Sequence, residues 1–147
     1  MFLVTEGRLD PEAAASSVRR DADGAVVVFL GVVRNESYGK PIRYLEYDAY
    51  PEMAEKKMRQ LAGEIEQQWG IRAIAILHRT GRLEIGETSL VVVLAAPHRK
   101  EAFEACHHLV DRIKQVLPVW KKEVAEDGES WVEGWQVEVE EPVSSAG

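Results

Sequence analysis

Residues 88–122 read TSLVVVLAAPHRKEAFEACHHLVDRIKQVLPVWKK, and the fold follows from this stretch. Residues 88–96 form an apolar, β-branched run, which predicts a buried strand that Pro97 ends. The next segment predicts a long helix, because its apolar residues recur at helical spacing: Ala102, Cys106, Leu109 and Ile113, with Phe103, Val110 and Leu117 alongside. Pro118 must end or kink that helix near Leu117, and if the helix ends there the chain continues as an extended segment.

The same two patterns continue toward the N-terminus. Gly24 precedes a second β-branched run, 25–33, which we interpret as a central strand buried on both faces. Apolar residues from Ala54 to Trp69 lie at steps of four, three, four and four, which is one face of a helix that Gly70 ends. The remaining elements are a short helix over 10–20, strands near 42–50 and 71–78, and a terminal hairpin of 119–124 with 130–132.

The order of these elements predicts the fold class. It is β, α, β, β, α, β, β, α, β, β, and strands joined by short turns favour hairpins. We therefore expect an α+β protein, a single-domain α/β sandwich with a largely antiparallel or mixed sheet and two long helices. The 147 residues leave room for one domain, at 1–135, and the acidic residues 136–147 should form a frayed tail.

The composition excludes several classes of protein. With 46% hydrophobic and 29% charged residues the chain can bury a core, which excludes disordered and collagenous proteins. The formal net charge of −7 argues against nucleic acid and acidic membranes as partners. The acidity is local, however, because residues 123–147 hold eight acidic and no basic side chains, whereas residues 97–122 hold six basic and three acidic ones. A small cationic site is therefore compatible with this acidic chain.

His98, Arg99 and Lys100 lie where a predicted strand leads into the long helix. A helix N-terminus already carries partial positive charge, so each added cation costs about 0.3–1 kcal/mol unless an anion compensates it. One interpretation is a phosphate or carboxylate bound by His98, Arg99 and the free amides of the helix. The other is that Glu101 and Glu104 offset the charge and the basic side chains face water.

Lys114, Lys121 and Lys122 lie on either side of Pro118. The corner at this proline can bring Lys114 and Lys121 to one pocket, although lysines near a helix end are also common on protein surfaces. Strand alternation directs Lys122 to the face opposite Lys121, so we leave it out of the site. Arg34 follows a predicted central strand and adds a guanidinium beside a glycine-containing loop.

The other reactive side chains do not indicate a metal site or a nucleophile. His107 and His108 are adjacent on the helix, about 100° apart, so they cannot share one ligand face. Cys106 lies on the apolar stripe, where a buried structural thiol is expected. A single cysteine excludes an internal disulfide and favours a reducing compartment, and the N-terminus lacks a signal-peptide pattern. We expect a cytoplasmic protein that binds no metal.

Six short motifs, in their order and spacing, resemble the family of large, catalytic subunits of molybdopterin synthase. They are GVVRN at 31–35, LEYDAYPEMA at 45–54, HRTG at 78–81, PHR at 97–99, PVWKKE at 118–123 and WVE at 131–133. The resemblance runs from about residue 23 to residue 133 and so covers most of the chain.

The resemblance implies an α/β hammerhead-like fold and a sulfurtransferase of molybdenum-cofactor biosynthesis. Members of that family place two sulfurs on cyclic pyranopterin monophosphate and so form the dithiolene of molybdopterin. The sulfur comes from a small ubiquitin-like carrier subunit whose C-terminal Gly-Gly ends in a thiocarboxylate. Two large subunits form a central homodimer with one carrier on each, which makes a heterotetramer, and the transfer uses no metal or organic cofactor.

Carried over by motif, the resemblance assigns six residues to the site: Lys114, Lys121, Glu123, Arg34, His98 and Arg99. The two lysines match the active-site lysines of the family, and Glu123 is a candidate acid, base or lysine-orienting carboxylate. Arg34, His98 and Arg99 match substrate- and phosphate-binding positions. Because the family shares its site across the dimer, His98 and Arg99 can complete the pocket of a partner. The alternative function is a non-enzymatic anion-binding or adaptor domain that docks an acidic protein tail.

Overall fold

A computed structural model describes residues 1–125 and 128–133 of the chain. In these residues it has nine strands and three helices: β1 (Phe2–Thr5), α1 (Pro11–Val18), β2 (Ala25–Val32), β3 (Glu36–Ser37), β4 (Lys40–Ala49), α2 (Pro51–Trp69), β5 (Ala73–Arg79), β6 (Gly81–Glu84), β7 (Thr88–Ala96), α3 (Arg99–Val116), β8 (Val119–Ala125) and β9 (Gly128–Glu133). None of these helices is long and apolar enough to cross a membrane. The predicted tail, 136–147, and the hairpin residues Glu126 and Asp127 lie outside the described residues.

The described strands form two sheets. The first has the order β1-β5-β7-β2, in which β1 and β5 are parallel and the other pairs are antiparallel. The second is antiparallel, with the order β3-β4-β8-β9 and with β6 also paired to β4. The α+β class, the largely antiparallel or mixed pairing and the two long helices are confirmed.

The main core lies between the first sheet and the two long helices. The helices bury apolar stripes there: Ala54, Met58, Leu61 and Ile65 from α2, and Ala102, Ala105, Leu109 and Ile113 from α3. On the opposite face of the sheet, α1 covers β5 and β7 and buries Ala14 completely. Because both faces of β5 and β7 are covered, nearly every residue of these two strands is buried. The buried apolar stripe of α3 holds this helix along β7 and β2.

Local signals begin or end the helices where the sequence predicts. Asp10 accepts a hydrogen bond from the amide of Ala13 at 3.1 Å and so caps α1. Gly70 ends α2 with a φ of +72°, in the left-handed region that favours glycine. Leu117 ends α3 directly before the proline, and its carbonyl accepts a 2.8 Å hydrogen bond from the amide of Val119, the first residue of β8. The turn between α3 and β8 is therefore very short.

The prediction for β2 was wrong. We expected a central strand buried on both faces, but β2 is an edge strand that pairs only with β7 among the described residues. Alternate side chains, which we call the β2 apolar row, are between 38% and 47% exposed: Val26, Val28, Leu30 and Val32. An apolar run indicates burial without identifying what provides it, and here α1 covers β5 and β7 and leaves this row open.

Two short strands were also not predicted. β3 pairs with β4 across a two-residue turn, in which Tyr38 and Gly39 have φ values of +51° and +80°. β6 pairs with β4 between two turns marked by Gly81 and Gly86, both with positive φ. Strands of two and four residues are too short for hydrophobic alternation to reveal them.

Candidate active site

Two adjoining hollows lie where the end of α3 meets β8, β4 and the ends of β2 and β7. The inner cavity has a volume of about 80 Å³ and is lined by Gly31, Tyr47, His78, Ser89, Leu90, Ile113, Lys114, Leu117, Val119 and Lys121. The outer pocket has a volume of about 240 Å³ and shares five of these residues. Its additional lining is Val32, Arg34, Glu36, Ser37, Tyr38, Ile42, Leu45 and Glu123. Because Lys114 and Lys121 line both hollows, the two form one cationic site.

The short turn at Pro118 brings Lys114 and Lys121 together. Lys114 lies in the last turn of α3, and Lys121 lies on β8 on the same face as the buried Val119. Lys122 points to the other face of β8, where its Nζ lies 3.0 Å from Oε1 of Glu46. The corner therefore places two of the three lysines in the site.

Arg34 and Glu123 line the outer pocket. Arg34 follows the end of β2, and Glu123 follows Lys121 by two residues, so strand alternation puts both β8 side chains on the pocket face. Oε2 of Glu123 accepts a hydrogen bond of 2.7 Å from Oγ of Ser37. This bond orients the carboxylate and joins β3 to β8. Ser37 is therefore a pocket residue that the sequence analysis did not identify, because it lies in a segment with no recognisable strand pattern.

His98 and Arg99 do not reach this site in their own chain. Both are exposed and lie at the N-terminus of α3, whereas Lys114 lies in its last turn. At 1.5 Å per residue, about 20 Å of helix separates Arg99 from Lys114. The acidic residue of the first turn of α3 is Glu101, whose Oε1 is buried without a hydrogen-bond partner among the described residues. One chain therefore presents two separate basic groups.

His78 is a buried titratable side chain of the inner cavity and was not among the predicted site residues. It is 7% exposed, its Nδ1 lies 2.9 Å from the carbonyl oxygen of Arg79, and its ring meets the ring of Tyr47 at a centroid distance of 5.1 Å. Burial lowers the pKa of His78 to about 4; the ammonium of Lys114 acts in the same direction, and the hydrogen bond to Arg79 opposes them. A histidine that directly follows five apolar residues in β5 was the available signal.

The other reactive side chains have local surroundings that explain them. Cys106 is 6% exposed, and burial raises the pKa of its thiol to about 11. His107 pairs with Asp111 at 3.6 Å, and the ring of His108 lies 5.3 Å from that of Trp69. Among the described residues, no group of three or more His, Cys, Asp and Glu side chains could hold a metal ion.

Known proteins resemble this chain over most of its length. Residues 4–116 match the family model of the MoaE protein. The molybdopterin synthase catalytic subunit of Halalkalibacterium halodurans is 48% identical over 131 residues, which cover 89% of this chain and 84% of that protein. The subunit of the same name from Pyrococcus abyssi is 46% identical over 123 residues, which cover 84% of this chain and 83% of that protein.

Solved structures share the fold. The crystal structure of molybdopterin synthase from Staphylococcus aureus superposes with a TM-score of 0.85 at 39% identity, covering 89% of this chain and 96% of that chain. A protein–protein complex of subunits 1 and 2 of the molybdopterin-converting factor from Helicobacter pylori gives a TM-score of 0.72 at 23% identity, with 89% of each chain covered. At that identity the second likeness shows the fold alone.

The buried, neutral His78 makes the stability of the protein depend on pH. Between about pH 4 and its ordinary pKa of 6.5, the unfolded chain binds a proton at His78 that the folded chain does not bind, so stability falls as the pH falls. A shift from 6.5 to about 4 corresponds to about 3 kcal/mol. We expect the wild-type protein to lose about 3 kcal/mol more unfolding free energy than His78→Gln when the pH falls from neutral to about 4.

Urea denaturation at a fixed protein concentration measures this difference. The control is His107→Gln, because the His107 side chain is 82% exposed. That variant should keep the pH dependence of the wild-type protein. Parallel pH dependence of the wild type and His78→Gln would contradict the buried, neutral state of His78.

Proposed function

The chain belongs to the MoaE family, and we propose that it acts as the catalytic subunit of a molybdopterin synthase. In this role it is a sulfurtransferase that moves two sulfurs from the thiocarboxylated C-terminus of a small carrier subunit to cyclic pyranopterin monophosphate. The product is the dithiolene of molybdopterin. The observation that supports this function most directly is the convergence of Lys114 and Lys121 on one cavity, with Arg34 at its outer wall.

The charge of this site suits the proposed reactants. A thiocarboxylate and a cyclic phosphate are both anions, and bringing them together requires fixed cations in a partly dry pocket. Lys114, at the end of α3, holds the terminal group of the carrier. Lys121, on β8, stabilises the charge that develops on the pterin or takes part in proton transfer. Glu123, fixed by Ser37, is a lysine-orienting carboxylate or an acid–base group.

The proposed second protein is the small ubiquitin-like carrier that ends in Gly-Gly. Its extended C-terminus must reach the lysines, because the thiocarboxylate is the sulfur donor. The outer pocket adjoins the inner cavity and suits such a tail, since Arg34 at its wall is the cationic partner that an anionic chain end requires. We place this enzyme in the cytoplasm, where a single unpaired cysteine is stable.

The third proposed partner is a second copy of this chain. The β2 apolar row is half exposed, and the outer edge of β2 has no strand partner among the described residues. The start of β2 pairs with Ala96, close to His98, and its other end lies at the pocket, where Gly31 pairs with Leu90. A two-fold axis beside β2 would therefore bring His98 and Arg99 of one copy to the pocket of the other.

Such a dimer accounts for the separation of the two basic groups along α3. The lysine pocket of one subunit would bind the carrier tail and the pterin, and His98 and Arg99 of the other subunit would bind the phosphate. The relatives carry the name of a catalytic subunit, which favours this enzyme over the non-enzymatic adaptor.

Replacing Lys121 should stop sulfur transfer without unfolding the protein. In Lys121→Ala the pocket loses a cation that the transition state needs, so we expect molybdopterin formation to fall by about 100-fold or more. Mass spectrometry of the pterin product, with thiocarboxylated carrier and cyclic pyranopterin monophosphate supplied, measures this loss. The matched control is Lys122→Ala, which removes the neighbouring lysine on the opposite face of β8 and should keep activity near the wild-type level. Turnover at the wild-type rate in Lys121→Ala would refute the assignment.

Mixing two inactive variants tests whether the site is shared between subunits. Arg99→Ala and Lys121→Ala should each be nearly inactive alone. After subunit exchange, mixed dimers contain one complete site, so about one quarter of the wild-type activity should return. Lys114→Ala mixed with Lys121→Ala is the control, because both residues belong to the same pocket and no complete site can form. Failure of the first mixture to recover activity would contradict the shared site.

A further inference from the structure

His78 is a buried titratable group of the inner cavity that the proposed transfer does not use. In β5 it continues the row of Ile74 and Ile76, which faces α2 and α3, so its ring is directed to the helix side of the sheet. It is 7% exposed and lines the inner cavity with Lys114 and Lys121. A buried polar ring costs free energy unless its nitrogens are hydrogen-bonded, so its partners indicate its role.

The hydrogen bond to the main chain fixes which ring nitrogen carries the proton. Nδ1 of His78 lies 2.9 Å from the carbonyl oxygen of Arg79, and a carbonyl oxygen can only accept. Nδ1 is therefore the protonated nitrogen. Because burial keeps the ring neutral at pH 7, Nε2 is left with a lone pair that can accept a hydrogen bond.

Four neighbouring elements contribute the polar groups that line the inner cavity together with His78. Tyr47 of β4 packs against the edge of the ring and so fixes its orientation. The hydroxyl of Ser89, on β7, donates to a main-chain carbonyl at 3.2 Å. Lys114 of α3 and Lys121 of β8 supply the ammonium groups of the cavity, and Lys114 is the one whose charge acts on His78.

We propose that His78 is a positioning residue for Lys114: its neutral ring offers the Nε2 lone pair to the ammonium and fixes the direction in which that ammonium meets the carrier's terminal group. The inference rests on the proposed function, because it takes Lys114 as the group that binds the carrier. An acceptor of this kind orients the ammonium without adding a third positive charge to the cavity.

A general-base role fits the site less well. A ring whose pKa lies near 4 takes up a proton poorly at neutral pH. A simple packing role would not require a buried polar ring in a cavity that two lysines also line. Experiment must therefore distinguish two roles of His78, which are positioning of Lys114 and simple packing.

Two variants separate the acceptor function of Nε2 from the donor function of Nδ1. His78→Gln can place an amide oxygen near the position of Nε2 and so keep the acceptor. His78→Asn can place an amide N–H near the position of Nδ1, which keeps the bond to Arg79 and loses the acceptor. Ser89→Ala is the matched control, since Ser89 lines the same cavity from β7 and is also buried.

The readout is the Nζ resonance of Lys114, measured by NMR at neutral pH on the full chain with nitrogen-15-labelled lysine and assigned with Lys114→Arg. In His78→Asn we expect this resonance to move, because the ammonium loses a hydrogen-bond acceptor. It should stay at the wild-type value in His78→Gln and Ser89→Ala. The Nζ resonance of Lys121 is the internal reference and should not move.

An unchanged Lys114 Nζ resonance in His78→Asn, or equal changes in the resonances of both lysines in both His78 variants, would overturn the proposal. If neither His78 variant folds, Lys114→Met tests the same contact from the other side. The nitrogen-15 resonance of Nε2 in His78 should then move, and an unchanged resonance would overturn the proposal.

These measurements need neither carrier nor pterin, so they are independent of the proposed function. If Lys121→Ala kept full activity while His78→Asn still shifted the Nζ resonance of Lys114, the sulfur-transfer function alone would fail. If Lys121 proved essential while the Nζ resonance of Lys114 was unchanged in the His78 variants, the positioning role alone would fail.

Discussion

Burial of the apolar stripe of α3 against the first sheet determines where both ends of that helix lie. Leu109 and Ile113 are at most 3% exposed in this contact, and each contributes on the order of 2 kcal/mol of hydrophobic free energy. With the helix held along β7 and β2, Pro118 ends it beside β8 and sets Lys114 next to Lys121. The same contact sets His98 and Arg99 at the far end. The positions of Lys114, Lys121, His98 and Arg99 thus follow from one packed helix, whereas Arg34 lies beyond the end of β2.

The site combines cations with groups that limit their effect on stability. Two lysines in one small cavity repel each other, and a charged third group would add to that cost. His78 avoids it because burial keeps the ring neutral, and Glu123 brings a carboxylate to the outer pocket, where Ser37 orients it. Under the proposed function, these lysines supply the positive charge that two anionic reactants require. An acidic chain can therefore carry a strongly local cationic site.

The sequence was sufficient for the parts of the fold that depend on local chemistry. Asp10 caps α1, Gly70 ends α2 and Pro118 ends α3 because each effect needs only neighbouring atoms. Strand alternation likewise separated Lys121 from Lys122. The apolar run of β2 was misinterpreted as central, since residue type shows that a strand is apolar but not which surface covers it.

The parts of the site that depend on contacts distant in sequence were not predicted. Ser37 and Glu123 are joined over 86 residues, and neither strand pattern indicates that pairing. His78 lies in the pocket because β5 runs beside β7 and β1, a neighbour relation set by the complete sheet. Arg34, Lys114 and Lys121 converge as the motif resemblance implied, whereas the distance of His98 and Arg99 from them emerged only from the length and direction of α3.

A crystal structure of the dimer with bound cyclic pyranopterin monophosphate tests the shared site most directly. We expect the pterin beside Lys114 and Lys121 of one subunit, the phosphate within hydrogen-bond distance of Arg99 from the other, and contact between the subunits along β2. A substrate bound wholly within one subunit, or bound away from the two lysines, would contradict the shared cationic site.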